Sequence, residues 1–287
     1  MAAMGTPSLG LEIPAFGGSA ALRAATLGAT RIELNAEGSY GEGGLTPSLE
    51  DLKWFRSAST LEAKLPLRIM IRPRGPPVPK HGGTVVRDFR YSDEEFERME
   101  ASIGEFISSG LLDASRGDGF VFGILEEEDR DAEGDGHTGR RRCWVDKARC
   151  AHLVRASQPF KCVFHRAFDE IVSCDDDASD GSAGHSWETG LEAVAACGFH
   201  GILTSGGLGK AIDNTEMLGR IIQRAQVLQI EIIVGGGVRT VNAGELVRRL
   251  ELRGRADSVY LHSACLHGDG SEEINPSEVQ GIISQSI

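Results

Sequence analysis

No two of the six cysteines, Cys143, Cys150, Cys162, Cys174, Cys197 and Cys265, stand in a C-x-x-C pair, and their spacings are irregular. That argues against a disulfide framework or a structural zinc site and for free thiols packed as small hydrophobes. The chain also lacks any apolar run long enough to span a bilayer. Met1–Gly10 shows no basic region followed by an apolar stretch, so no secretory signal is expected there. Positive charge is in deficit: 30 Lys and Arg face 42 Asp and Glu, a net charge of −12. An acidic surface repels phosphate backbones and anionic lipids, so neither nucleic acid nor a membrane surface is an expected partner. The expected setting is cytoplasmic, or cytoplasmic and nuclear. The run Gly206–Lys210 lacks the P-loop spacing, and no G-x-G-x-x-G is present.

What is there is a regular alternation. Short β-rich runs at Leu9–Ala15, Arg31–Leu34, Leu67–Ile71, Gly119–Phe122, Phe160–Phe164, Gly201–Leu203, Glu231–Val234 and Ser258–Leu261 are separated by helical patterns. One helix is expected to begin near Pro47, since proline suits a first helical turn. Another begins at the capping box Ser92-Asp93-Glu94-Glu95 and continues through Phe96, Met99, Ile103 and Phe106 at helical spacing. Strand–helix alternation implies parallel strands, and eight such units fit a TIM-like (β/α)8 barrel better than an open sheet. With 287 residues, no internal repeat and no shift in composition, residues 1–287 are expected to form a single barrel domain. Three segments read as long, mobile loop insertions after strands three, four and five: Gly75–Arg90, Glu126–Arg142 and Cys174–Ser186.

In a barrel the C-terminal strand ends face the site. Here those ends carry Glu12, Glu33, Arg72, Phe122-Gly123, His165-Arg166, Thr204-Ser205-Gly206, Gly235-Gly236-Gly237 and His262-Ser263. Glu12 and Glu33 can be a carboxylate pair for proton transfer or cation binding, or buried partners of Arg72 or Arg166. His165 and His262 suit acid–base work or metal ligation. The turn Gly235-Gly236-Gly237, with Ser205, Gly206 and Ser263 beside it, offers donors to a phosphate or other anion; a tight turn without a ligand is the plain alternative. His262, Cys265 and His267 form H-x-x-C-x-H, a pattern a soft metal can use.

The same strand ends resemble the CutC copper-homeostasis family. The resemblance rests on Arg31-Ile32-Glu33-Leu34, Glu42-Gly43-Gly44, Met70-Ile71-Arg72-Pro73-Arg74-Gly75, Asp118-Gly119-Phe120-Val121-Phe122-Gly123, Phe164-His165-Arg166-Ala167-Phe168-Asp169, Leu203-Thr204-Ser205-Gly206, Gly235-Gly236-Gly237-Val238-Arg239 and His262-Ser263-Ala264. It implies a TIM-like barrel, a cytosolic setting and a role in copper tolerance or trafficking, with copper held by cysteines near the ends of the first two strands. This sequence departs there, with Pro14 and Asn35 at those positions. Neither is a Cu(I) ligand, because Cu(I) prefers sulfur.

Three functions are therefore in play. The first is a copper-homeostasis protein that binds or traffics copper, with His165, His262 and Cys265 as ligands. The second is an enzyme on a small anionic or phosphorylated metabolite. There Glu33 and His165 move protons, Arg72, Arg166 and Asp169 complete the catalytic set, and Ser205, Gly206, Gly235, Gly236, Gly237 and Ser263 hold the anion. The third is a scaffold that binds a protein partner through its long loops. Exposed apolar outer helices would indicate a homo-oligomer, a point the sequence leaves open.

Overall fold

The computed structural model describes residues 9–58, 64–77, 88–128, 142–174 and 185–286. Eight parallel strands close into a barrel. In chain order the barrel strands are β1 (Gly10–Phe16), β2 (Arg31–Asn35), β3 (Leu67–Met70), β4 (Gly119–Phe122), β7 (Lys161–Phe164), β8 (Gly201–Thr204), β9 (Glu231–Val234) and β10 (Val259–His262). The first and last strands close the ring, with Leu11 paired to Leu261 and Glu12 to His262. Among the described residues, no helix is long and apolar enough to cross a membrane.

The period of two along each strand sorts side chains between two cores. Ile32 and Leu34, Ile69 and Ile71, Phe120 and Phe122, and Ile232 and Val234 face the helices and join one large buried cluster. Their inward neighbours Met70, Val121, Val163, Leu203 and Ile233 form a separate small cluster inside the barrel, with Tyr260 packed against it. Barrel interiors are filled by layers of side chains of this kind.

Helices cover the outside. The Ser92 hydroxyl accepts the Glu95 N–H at 3.2 Å, and the Glu95 carboxylate accepts the Ser92 N–H at 2.8 Å, so the capping box starts α3 (Asp93–Ser108) where the sequence places it. Such a cap contributes about 1 kcal/mol. Met99, Ile103 and Phe106 then seal its buried face. The helix expected near Pro47 is α2 (Leu49–Ser57), and it begins two residues later. Ser48 is its N-cap and pairs reciprocally with Asp51, which sets Pro47 outside the first turn.

Some elements escape the sequence reading. Strands β5 (Leu125–Glu127) and β6 (Cys143–Val145) pair antiparallel as a hairpin at the ends of the charged segment Glu126–Arg142. A short helix, α5 (Ala167–Val172), follows β7, and α9 (Pro276–Gln285) packs against α8 (Thr240–Arg249). The middle parts of all three expected insertions (78–87, 129–141 and 175–184) lie outside the described residues.

Candidate functional site

The strand ends surround a pocket of about 530 Å³ lined by Glu33, Asn35, Arg72, His165, Arg166, Gly236, Gly237 and His262 among others. A larger groove of about 800 Å³ lies on the outside, against Arg248, Arg253 and Arg255. No side-chain atom that is both buried and unpartnered lines that outer groove. The barrel pocket has four, on Glu33, Asn35, Arg72 and His165, so the chemistry belongs there.

The acidic floor of the pocket comes from the shear of the barrel. Register sets Glu12 level with both Arg31 and His262. The Arg31 guanidinium donates to one Glu12 oxygen, and His262 Nδ1 lies 2.9 Å from the other. Arg31 also pairs with Glu231 at 2.8 Å and stacks 3.7 Å over the Tyr260 ring. Burial alone would raise the Glu12 pKa, but Arg31 and His262 outweigh it and hold the carboxyl at about 2. Glu12 is thus a permanent anion with a structural partner.

Glu33 differs. Asn35 donates to its Oε1 at 3.1 Å, while Oε2 is buried with no partner. Burial raises its pKa, and the nearby Glu12 charge adds to that. Burial opposes protonation of His262, yet the charge of Glu33 and the contact with Glu12 raise its pKa above the ordinary value. Glu12, Glu33 and His262 bring one ligand-type atom each to within 4.8 Å of one another. Two carboxyls with pKa values pushed apart beside one imidazole form a site that can take up and release a proton.

His165 faces the same pocket with different chemistry. Its Nδ1 accepts the Ala167 N–H at 3.3 Å, which assigns the proton to Nε2. Nε2 is buried and meets no acceptor. Phe89 packs on the ring at 4.6 Å. Burial first, and the Arg72 charge second, push the pKa down to about 3. Burial and the Nδ1 contact thus set His165 as an uncharged ring whose Nε2–H is held toward the pocket, beside the sequence's expectation of a proton-transfer role.

The arginines are largely engaged. Arg72 donates to the carbonyls of Glu42 and Gly44 and to Asp88 at 2.7 Å, bracing the loop after β2. Arg166 donates to Asp169 and Ser205 at 2.7 and 2.8 Å, yet 42 % of its side chain stays exposed. The alternative in which Glu12 or Glu33 partners Arg72 or Arg166 fails, since Asp88 and Asp169 take those places. Asp169 accepts from Thr204 Oγ1 at 2.6 Å, Ser205 N at 3.0 Å and Ser205 Oγ at 2.9 Å, so it organises the turn after β8.

Within the anion set, Gly206 N donates to Thr204 Oγ1, Gly235 N to the Thr204 carbonyl and Ser263 Oγ to the Val238 carbonyl. Ser205 Oγ is shared between Asp169 and the Gly207 carbonyl. These groups brace the turn. The N–H groups of Gly236 and Gly237 meet no acceptor among the described residues. A Cβ at Gly236 would lie 2.6 Å from Ser205 Cβ and φ there is 91°, so the close approach needs glycine. Arg166 lies against this position, and Lys210 against Gly237.

The expected metal trio His165, His262 and Cys265 does not assemble. Among the described residues, the sole group of three His, Cys, Asp or Glu with converging ligand atoms is Glu12, Glu33 and His262. Cys265 is fully buried, and burial pushes its thiol up to about 11, which suppresses the thiolate a soft metal needs. All six cysteines are buried free thiols.

The CutC family profile matches residues 11–259, nearly the whole barrel. The chain belongs to the CutC family. It is 32% identical over 254 residues to the copper homeostasis protein cutC homolog of Homo sapiens, covering 88% of this chain and 73% of that one. It is 29% identical over 271 residues to a CutC family protein of Treponema denticola, covering 94% and 88%. The crystal structure of a copper homeostasis protein CutC from Streptococcus agalactiae superposes with a TM-score of 0.63 at 23% identity, over 88% of this chain and 98% of that one. That likeness bears on the fold, a CutC barrel. Within this CutC chain, sequence reasoning missed Asn35 as the donor to Glu33, Asp88 as the partner of Arg72, and Lys210. Asn35 was legible only as a lost sulfur, and Asp88 lies within the proline-rich segment.

Proposed function

We propose that this CutC-family protein serves copper homeostasis as an enzyme that transfers protons on a small anionic metabolite in the barrel mouth, rather than as a copper carrier. The observation that carries this reading is the Glu33 carboxyl, buried, short of a partner and raised in pKa, beside His262 on the floor of the pocket. A polar atom left unpaired in a buried site costs roughly 1–3 kcal/mol, a cost that a bound ligand would relieve. Glu33 and His262 take up and release the proton. Arg166, Lys210 and the Gly236 and Gly237 N–H groups attract the anionic end.

Copper fits this residue set poorly. The two carboxyls and one imidazole that converge suit a harder cation than Cu(I), and the thiols are buried. The test is a screen of phosphorylated and carboxylated metabolites for turnover by the parent and Glu33→Gln, beside Cu(I) competition on the reduced protein. Turnover lost in Glu33→Gln, with copper binding at background, is the expected result. Tight stoichiometric Cu(I) binding abolished by Cys265→Ser would overturn the reading.

A further inference from the structure

An unpartnered neutral donor deep in a pocket is costly unless something accepts from it. His165 is such a donor. Ala167 N–H fixes its tautomer, Phe89 covers one side of the ring, and Nε2–H is left for the pocket. Gly123 keeps the ring in place, since a Cβ there would lie 2.8 Å from Nδ1. Across the mouth, three strands round the eight-stranded ring on β2, stands Glu33. A fixed donor on one side and a base on the other match the two ends of one reaction: a carbonyl oxygen that gains charge, and a neighbouring carbon that loses a proton.

From this geometry we propose that the pocket enolises an α-hydroxycarbonyl compound bearing an anionic group, with His165 as the catalytic residue that donates a hydrogen bond to the carbonyl oxygen. The proposal rests on the proton-transfer reading above and names its substrate class. The steps balance without a co-reactant. Glu33 carboxylate takes the proton from the hydroxyl-bearing carbon, so that C–H bond breaks and an O–H bond forms on Glu33. The freed pair becomes the carbon–carbon double bond, and the carbonyl π pair moves to oxygen, where His165 Nε2–H stabilises it. Imidazolium His262 gives that oxygen a proton and takes one from the neighbouring hydroxyl. Glu33 then returns its proton to the former carbonyl carbon, giving the isomeric hydroxycarbonyl. A donor that stays neutral stabilises the oxyanion without surrendering its proton, consistent with the depressed pKa of His165.

The test compares two probes on the full-length protein by calorimetry: phosphoglycolohydroxamate, which mimics the planar enediolate, and glycerol 3-phosphate, which has the anion but no such plane. The parent is expected to prefer the hydroxamate by about 100-fold, as analogues of a reacting species do. His165→Ala should cut that preference to about tenfold or less while leaving glycerol 3-phosphate unchanged, and His165→Gln, which keeps an N–H donor, should restore part of it. Nitrogen NMR of the parent supplies a readout independent of variant folding: His165 should show the Nε2–H tautomer and no titration between about pH 5 and 8. Equal binding of both probes, or a His165 that titrates in that range, would overturn the enolisation proposal and leave the anion pocket standing. Binding of neither probe would overturn both.

Discussion

Asp169 and Glu33 are both buried carboxylates at the same end of the barrel, with opposite surroundings. Every oxygen of Asp169 is engaged by Arg166, Thr204 or Ser205. Glu33 has one side-chain donor, Asn35, and one oxygen with none. The difference separates a carboxylate that builds the site from one the site holds in reserve. Glu12 belongs with Asp169, since Arg31 and His262 take its two oxygens. Burial alone does not mark function. What marks it is a shortfall of partners that a ligand can fill.

The largest effect should come from breaking the paired side of the comparison. Glu12→Gln takes from the buried Arg31 one of its two carboxylates, leaving Glu231, and takes from His262 its anionic partner, and should cost about 3–5 kcal/mol in urea denaturation. The parent's acid sensitivity follows from the same pair. Glu12 titrates near 2 when folded against an ordinary 4.5, so its contribution is complete above 4.5 and is lost as pH falls from 4.5 through 2. Glu12→Gln should remove that part of the acid transition. Next in size, Asp169→Ala should cost about 3 kcal/mol and speed hydrogen exchange in the turn after β8, because it frees Arg166 and Ser205 together.

His165 gives a second, wider acid window that opens at higher pH. Its pKa falls from 6.5 to about 3 on folding, so its contribution is complete above 6.5 and is lost as pH drops from 6.5 through 3. His165→Gln should flatten stability across that range, measured by denaturation at a series of pH values. Glu33→Gln sharpens the contrast most: stability should stay within about 1 kcal/mol of the parent, since the change removes a poorly compensated charge, while turnover falls by about 100-fold or more. The smallest effect is expected from Cys265→Ser, which should leave Cu(I) affinity at the parent's background level.

The barrel was legible in the sequence because short β-rich runs alternate regularly with helical patterns, and a cap and apolar stripe mark where a helix begins and which face it buries. Ser92 with Glu95 is the clearest case. The site's location was legible for the same reason: strand ends can be read once strands can. Pairing was not. Glu12 meets His262 across 250 residues only through the shear that closes the barrel. Arg31 reads as a charge at a strand start, and only register reveals it beneath Glu12. The neutral state of His165 depends on Phe89 and Arg72 packing around it, which no local pattern encodes. The metal trio failed on orientation: Cys265 lies close to His262 in sequence, but its thiol is buried in the outer core.

The most direct test is the titration of the Glu33 carboxyl carbon by carbon NMR of glutamate-labelled protein, assigned by its loss in Glu33→Gln. A midpoint above the ordinary 4.5 that moves when an anionic ligand binds is the predicted result. A midpoint at or below 4.5, unmoved by any ligand, would place Glu33 with Glu12 and Asp169 as a structural carboxylate and contradict the account.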